Sequence, residues 1–139
     1  MRDSYVKWLS VLHKSVYMTT RGRVGRRLVH NDMLLLTTTG RTTGATHTVP
    51  LLYLVDDDDL VVIASYGGRE EHPEWYRNLL VTPLVSAQIL GKTSALDAMT
   101  MGPHERHIWW PRIVAAYADY EVYQSRTNRE IPVVRLSPV

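Results

Sequence analysis

From Met33 onward the chain is cut into short β-branched and leucine-rich runs, residues 33–39, 46–55, 60–66, 84–90, 93–101 and 131–136, and nothing else in it limits the fold as strongly. Runs of this length read as strands. Only two helical patterns interrupt them, so the regular strand–helix alternation of a parallel sheet is missing. Asp56 to Asp59 join two neighbouring runs with a link too short for a crossover, which makes those strands an antiparallel hairpin. The carboxylates of that link are contiguous, whereas calcium loops space theirs at alternate positions around a glycine, so the acidic run reads as a turn. One helix is expected from Pro73 to about Val81, ahead of Pro83. A second starts near Pro103 and carries Ile108, Trp109, Ile113 and Val114, with a kink or restart expected at Pro111. The pattern predicts a mainly β protein with helices, a small antiparallel barrel with helices appended.

With 139 residues, 45% of them hydrophobic, the chain has material for one core, placed in residues 31–139. Residues 1–30 read as an appendage. Tyr5, Val6, Leu9, Leu12 and Val16 fall at helical spacing while Lys7, Ser10 and Lys14 fall elsewhere, which predicts an amphipathic N-terminal helix over 4–17; residues 19–25 read as a flexible connector. Residues 1–30 hold seven Lys/Arg against one acidic residue (+6), leaving nine against thirteen (−4) for the remainder. Such a basic helix either packs over the domain with its lysines in solvent or lies on an anionic membrane surface, and both readings stand. The basic start carries no helix-turn-helix or exposed aromatic motif, so no nucleic-acid partner is expected. There is no cysteine, and no apolar run approaches the roughly 20 residues of a membrane span. A cytoplasmic protein is expected, with peripheral contact at the inner face of the plasma membrane left open by the N-terminal helix.

Two glycine-punctuated turns leave the strand-like runs. In the first, Gly40-Arg41-Thr42-Thr43-Gly44, an arginine and two hydroxyls sit where glycines let backbone N–H groups approach a ligand, which suits a phosphate. Alone, such a turn is ordinarily no more than a hairpin connection. The second, Ser65-Tyr66-Gly67-Gly68, is followed by His72-Pro73-Glu74-Trp75-Tyr76-Arg77-Asn78-Leu79, and together the segments read as an anion and ring site.

Combined with Leu34 to Gly44, Thr48-Val49-Pro50-Leu51 and the tail Tyr117-Ala118-Asp119-Tyr120-Glu121-Val122-Tyr123-Gln124, these segments resemble the deazaflavin-dependent nitroreductases of actinobacteria, mycobacteria among them. The resemblance covers about residues 30–138. It implies a split β-barrel oxidoreductase that uses coenzyme F420, an 8-hydroxy-5-deazaflavin with a polyglutamate tail, to reduce quinones, nitro compounds or unsaturated lactones. By the same resemblance Arg41, Thr42, Thr43 and Gly44 hold the phosphate and the start of the tail, with His47 nearby. Thr48, Val49 and Pro50 line the ring edge with backbone groups, and Ala64, Ser65, Tyr66, Gly67 and Gly68 run beneath or beside the ring. Trp75, Tyr76 and Asn78 close the site. Tyr117, Tyr120 and Tyr123, at i, i+3 and i+6, roof a hydrophobic small-molecule substrate, with Tyr120 orienting and protonating it and Ser65 as hydrogen-bond partner to the reduced group.

Three positions depart from the family pattern. Thr42, His47 and Tyr66 stand where many relatives carry lysine, arginine and lysine. Each lost exposed cation–phosphate contact costs on the order of 1 kcal/mol. His104 and His107 lie one turn apart without a third ligand, so no metal site is expected. Two alternatives remain open, a split-barrel reductase using flavin mononucleotide and a non-catalytic carrier of deazaflavin or another hydrophobic ligand. The chain is expected as a monomer or a homodimer.

Overall fold

The computed structural model describes residues 33–139. The helix expected over 4–17, the connector over 19–25 and the boundary near residue 30 lie outside the described residues.

The strands are β1 (Met33–Thr39), β2 (Thr46–Leu52), β3 (Leu54–Asp56), β4 (Asp59–Ile63), β5 (Leu84–Ile89), β6 (Lys92–Thr100) and β7 (Val133–Pro138). All pairings are antiparallel. The helices are α1 (Glu74–Val81), α2 (Pro103–Ala116) and α3 (Asp119–Ser125), and a 3-10 turn spans Tyr66–Gly68.

The order across the sheet is β2-β1-β5-β6-β7-β4-β3. Strands β2 and β3 therefore occupy opposite ends of the sheet although only Tyr53 separates them along the chain. A single residue spans a few ångströms, so the sheet must curl until its two ends nearly meet. This is the split barrel. The run expected as one strand over 46–55 is thus two, broken at Tyr53, whose buried carbonyl accepts the Tyr117 hydroxyl at 3.0 Å. The run expected over 60–66 also stops early, because Ala64 and Ser65 leave β4 for the 3-10 turn. Helix α2 passes through Pro111 without a restart. The ring leaves the carbonyl of His107 without its N–H partner, and both residues are exposed, where water can serve instead. The tyrosine tail forms its own short helix, α3.

Alternation along the strands divides the core in two. Leu34, Leu36, Val62, Val85, Leu96 and Leu136 point into the barrel, where α1 plugs one end with Trp75, Tyr76 and Leu79. On the outer face Val61, Ile63 and Val133 meet Met101, Trp109 and Ile113 of the α2 layer, together with Tyr120 and Ile131. Strand β1 is buried on both faces over Met33 to Leu36, which explains its unbroken apolar sequence.

Candidate active site

The first turn joins β1 to β2 and closes on two backbone bonds, Gly40 N to Ala45 O at 2.7 Å and Gly44 N to Gly40 O at 2.9 Å. Glycine is required at 40 by crowding: a Cβ there would lie 2.9 Å from both the Ala45 carbonyl oxygen and His47 Nε2. At Gly44, with φ +77°, a Cβ would meet nothing within 4 Å, so this side of the turn is open to a ligand. Thr42 is exposed, and Thr43 Oγ1 accepts from Ala45 N at 3.2 Å.

Arg41 is held by α1. Its backbone N–H donates to Asn78 Oδ1 at 3.2 Å, and its Nη1 donates to the same oxygen at 2.9 Å and to Glu74 Oε2 at 2.7 Å. Asn78 in turn donates from Nδ2 to Thr38 Oγ1 at 3.2 Å. Both Asn78 and Thr38 are buried, so the amide is a satisfied linchpin between helix and turn, and two donors facing Oδ1 fix its orientation. The Arg41 hydrogen bond holds the Glu74 carboxyl below its usual range. The predicted phosphate ligand thus rests on an internal carboxylate. His47 lies opposite Thr38, and Thr48 Oγ1 meets Thr37 Oγ1 at 2.8 Å. Strand β2, carrying Thr48, Val49 and Pro50, is first in the sheet order and has one hydrogen-bonding edge outside the sheet.

The second turn carries three successive positive φ values, 48° at Tyr66, 64° at Gly67 and 83° at Gly68. Arg129 braces it from behind, donating to the carbonyls of Ser65 at 2.7 Å, Arg69 at 2.8 Å and Ala64 at 3.2 Å. Arg126 reaches the Gly67 carbonyl at 3.2 Å. The Arg69 guanidinium lies 4.2 Å from the Tyr66 ring centre, so a cation stands beside Tyr66. Gly68, Arg69, Glu70 and Glu71 border an open depression of about 490 Å³ beside this turn.

The two turns share one scaffold. Helix α1 grips Arg41 through Glu74 and Asn78, and just before it His72 meets Arg129 Nη1 at 3.1 Å. Its other predicted site residues behave differently: Trp75 and Tyr76 are buried in the barrel core, edge-to-face at 6.2 Å, with the Tyr76 hydroxyl on Thr100 Oγ1 at 2.8 Å. They form a wall behind the site.

The tyrosines assemble as a ladder. Tyr117 and Tyr120 pack edge-to-face at 6.0 Å, Tyr120 and Tyr123 at 5.8 Å. Tyr120 is the buried middle rung, and desolvation pushes its phenol well above the usual tyrosine range, so it stays protonated at any physiological pH. Helix α3 lies directly on the second turn: a Cβ on Gly68 would come within 2.5 Å of the Tyr123 carbonyl oxygen. The turns, α1 and the ladder are thereby linked. Among the described residues no cluster of His, Asp and Glu has metal-binding geometry, and His104 and His107 are exposed.

Sequence reasoning missed Glu74, His72, Gln124 and Arg129. Glu74, His72 and Gln124, which donates from Nε2 to the Arg129 carbonyl at 2.8 Å, stood inside the matching segments without a role, while Arg129 sits in a loop with no periodicity to mark it.

Known proteins resemble this chain in sequence and in fold. A putative F420H(2)-dependent quinone reductase of Mycobacterium tuberculosis, Rv3178, is 42% identical over 76% of this chain and 88% of its own length. A solved F420-H2 dependent reductase, FDR-A, superposes with TM-score 0.70 at 36% identity, over 76% of this chain and 94% of the other. Another solved chain, described as a domain-swapped dimer, gives TM-score 0.72 at 32% identity over 91% of this chain and 96% of its own. The sequence profile of the F420H(2)-dependent quinone reductases matches residues 9–138, and with the split barrel in place the chain belongs to that family.

Proposed function

We propose that this protein is an F420H2-dependent quinone reductase whose site lies between the two glycine turns. The observation that carries the reading is the shared scaffold, in which α1 fixes Arg41 at one turn while Arg129 and α3 fix the other. The donor set suits the coenzyme. Arg41 reaches Glu74 and Asn78 through Nη1 alone, which leaves Nε and Nη2 for a phosphate, and the open side of Gly44 and the hydroxyl of Thr42 extend that surface.

When bound, the reduced deazaflavin supplies a hydride, and the protein's part is binding, orientation and proton supply. Arg41, Thr42, Thr43 and Gly44 hold phosphate and tail, with His47 beside them. Thr48, Val49, Pro50 and the backbone of Ala64 to Gly68 frame the ring, backed by Trp75 and Tyr76. The aromatic ladder of Tyr117, Tyr120 and Tyr123 favours flat, apolar, electron-poor acceptors, quinones first and nitroaromatics or unsaturated lactones after them. Net reduction of a quinone takes one hydride and one proton. Tyr120, buried between Tyr117 and Tyr123, meets a quinone oxygen only where the acceptor parts the ladder; its phenol is then a neutral hydrogen-bond donor, a role in which Ser65 would assist.

Titration of the purified protein with oxidised F420 and, in parallel, flavin mononucleotide tests this, with turnover of reduced F420 against menadione following. Saturable, selective F420 binding with turnover is expected. Tighter binding of flavin mononucleotide would transfer the site to the flavin reading, and F420 binding without turnover across several acceptors would make the protein a carrier.

A further inference from the structure

We propose that Arg129 is a positioning residue for the cofactor ring, acting through the backbone of the Ala64–Arg69 turn; the proposal rests on the F420 reading above. Arg129 is itself fixed in place. Its carbonyl accepts from Gln124 Nε2 at 2.8 Å and its N–H donates to Thr127 Oγ1 at 3.2 Å. The guanidinium then spends four of its five N–H groups on the site: Nε on Arg69 O, Nη2 on Ser65 O, and Nη1 on Ala64 O and His72 Nδ1. Because guanidinium can only donate, His72 Nδ1 must accept, which places the histidine proton on Nε2 and leaves the ring neutral.

This grip dictates where the turn's own donors point. In a trans peptide the N–H is directed opposite to the C=O, and the chain contains no cis bonds among the described residues. With the carbonyls of Ala64 and Ser65 both drawn to Arg129, the N–H groups of Ser65 and Tyr66 face away from it. Two adjacent donors on one side form the arrangement that the acceptor-rich pyrimidinedione edge of a deazaflavin needs. Ser65 in the right-handed helical region (φ −76°, ψ −38°) is what keeps the two peptide planes parallel. Lysine at 129 would keep the charge yet offer its three donors from a single nitrogen in place of a planar fork, so it could not span carbonyls 64, 65 and 69 together.

The test compares R129K and R129Q with R135K. Arg135 likewise makes several guanidinium hydrogen bonds, to Asp56 at 2.8 Å, Asp59 at 2.9 Å and Glu105 at 2.9 Å, without touching the turn or the residues that anchor Arg129. Thermal unfolding, the Kd for oxidised F420, the KM for menadione and amide exchange in the ligand-free protein are measured on each. Expected are a roughly tenfold or greater rise in F420 Kd for R129K with menadione KM within about twofold, and faster exchange at Gly68 and Arg69, whose N–H groups close the turn. R135K is expected to lower Tm while its F420 Kd stays put. If R129Q fails to fold, R129K carries the comparison. Wild-type F420 Kd in R129K, whatever its Tm, would overturn the proposal. A wild-type protein that does not bind F420 would overturn the functional reading and the ring-positioning role with it, and accelerated exchange in R129K would then leave Arg129 as a turn brace only.

Discussion

At the scale of residues the site is held together by internal stand-ins for its ligand. Glu74 sits on Arg41 as a phosphate oxygen would, at 2.7 Å, with its side chain 70% exposed. An anionic ligand must share Arg41 with that carboxylate or displace it. Removing the negative charge while keeping the shape, in E74Q, is expected to tighten F420 by a factor of several, the effect of about 1 kcal/mol for an exposed pair. The free deazaflavin chromophore, which lacks phosphate and tail, should bind E74Q and wild type alike, and equal gains for both ligands would show that Glu74 acts elsewhere. The sign against pH follows from the Arg41 bond. Because the folded-state pKa of Glu74 is depressed, the Arg41–Glu74 pair contributes above the ordinary carboxylate range and is lost only as pH falls through the lowered value, below 4.5. The gain from E74Q should therefore be constant between about pH 6 and 8, a window in which a Glu of unshifted pKa, about 4.3, is already ionised.

Among the elements, α1 and α3 carry the site and the strands hold it in place. The sequence marks α1 at both ends by proline and both glycine turns by their residues, because those conformations demand particular side chains. It does not mark the bonds that tie them together. Arg129 and His72 are 57 positions apart, Arg129 and Ser65 64 apart, and no periodicity connects such pairs. The seat of α3 was equally hidden, since a tyrosine at every third position fits a packed face as well as a substrate roof. It rests on Gly68, where φ is +83° and where added atoms would run into the Tyr123 backbone. G68A is expected to cost about 1–3 kcal/mol through strained φ and displaced helix backbone. It should also weaken F420 binding, because the second turn and the tyrosine ladder would separate. Denaturant unfolding checks the first effect and fluorescence titration the second; a stable G68A would mean that α3 is free to slide.

On the scale of the whole molecule, a curled sheet must hold its last hairpin against the rest, and here one arginine reinforces the β4–β7 pairing. The β3–β4 hairpin ends the sheet, next to β7, and Arg135 on β7 reaches Asp56 at 2.8 Å and Asp59 at 2.9 Å, the two residues flanking the turn. Its other nitrogen meets Glu105 of α2 at 2.9 Å, so sheet end and helix layer share one cation. The acidic run read correctly from sequence as a turn, yet its partner was invisible there, lying 76 and 79 residues away. The break at Tyr53 was invisible for the same reason. Tyrosine fits a strand, and only the order of the sheet shows that the chain crosses from one end to the other beneath it. Arg135 is 18% exposed while its three partners are 25–43% exposed, which sets its worth between that of a surface pair and a buried one. R135M is therefore expected to lower stability by about 2 kcal/mol, more than D56N, because it leaves three carboxylates facing one another while D56N leaves two still paired. Urea denaturation of both variants measures the difference, and F420 affinity should survive in each, since Asp56, Asp59 and Glu105 touch neither glycine turn. Equal losses in R135M and D56N would reduce the cluster to a single ion pair at Asp56, and the closure of the sheet would then rest on the Tyr53 crossing and the apolar packing of Val61, Ile63 and Val133 under α2.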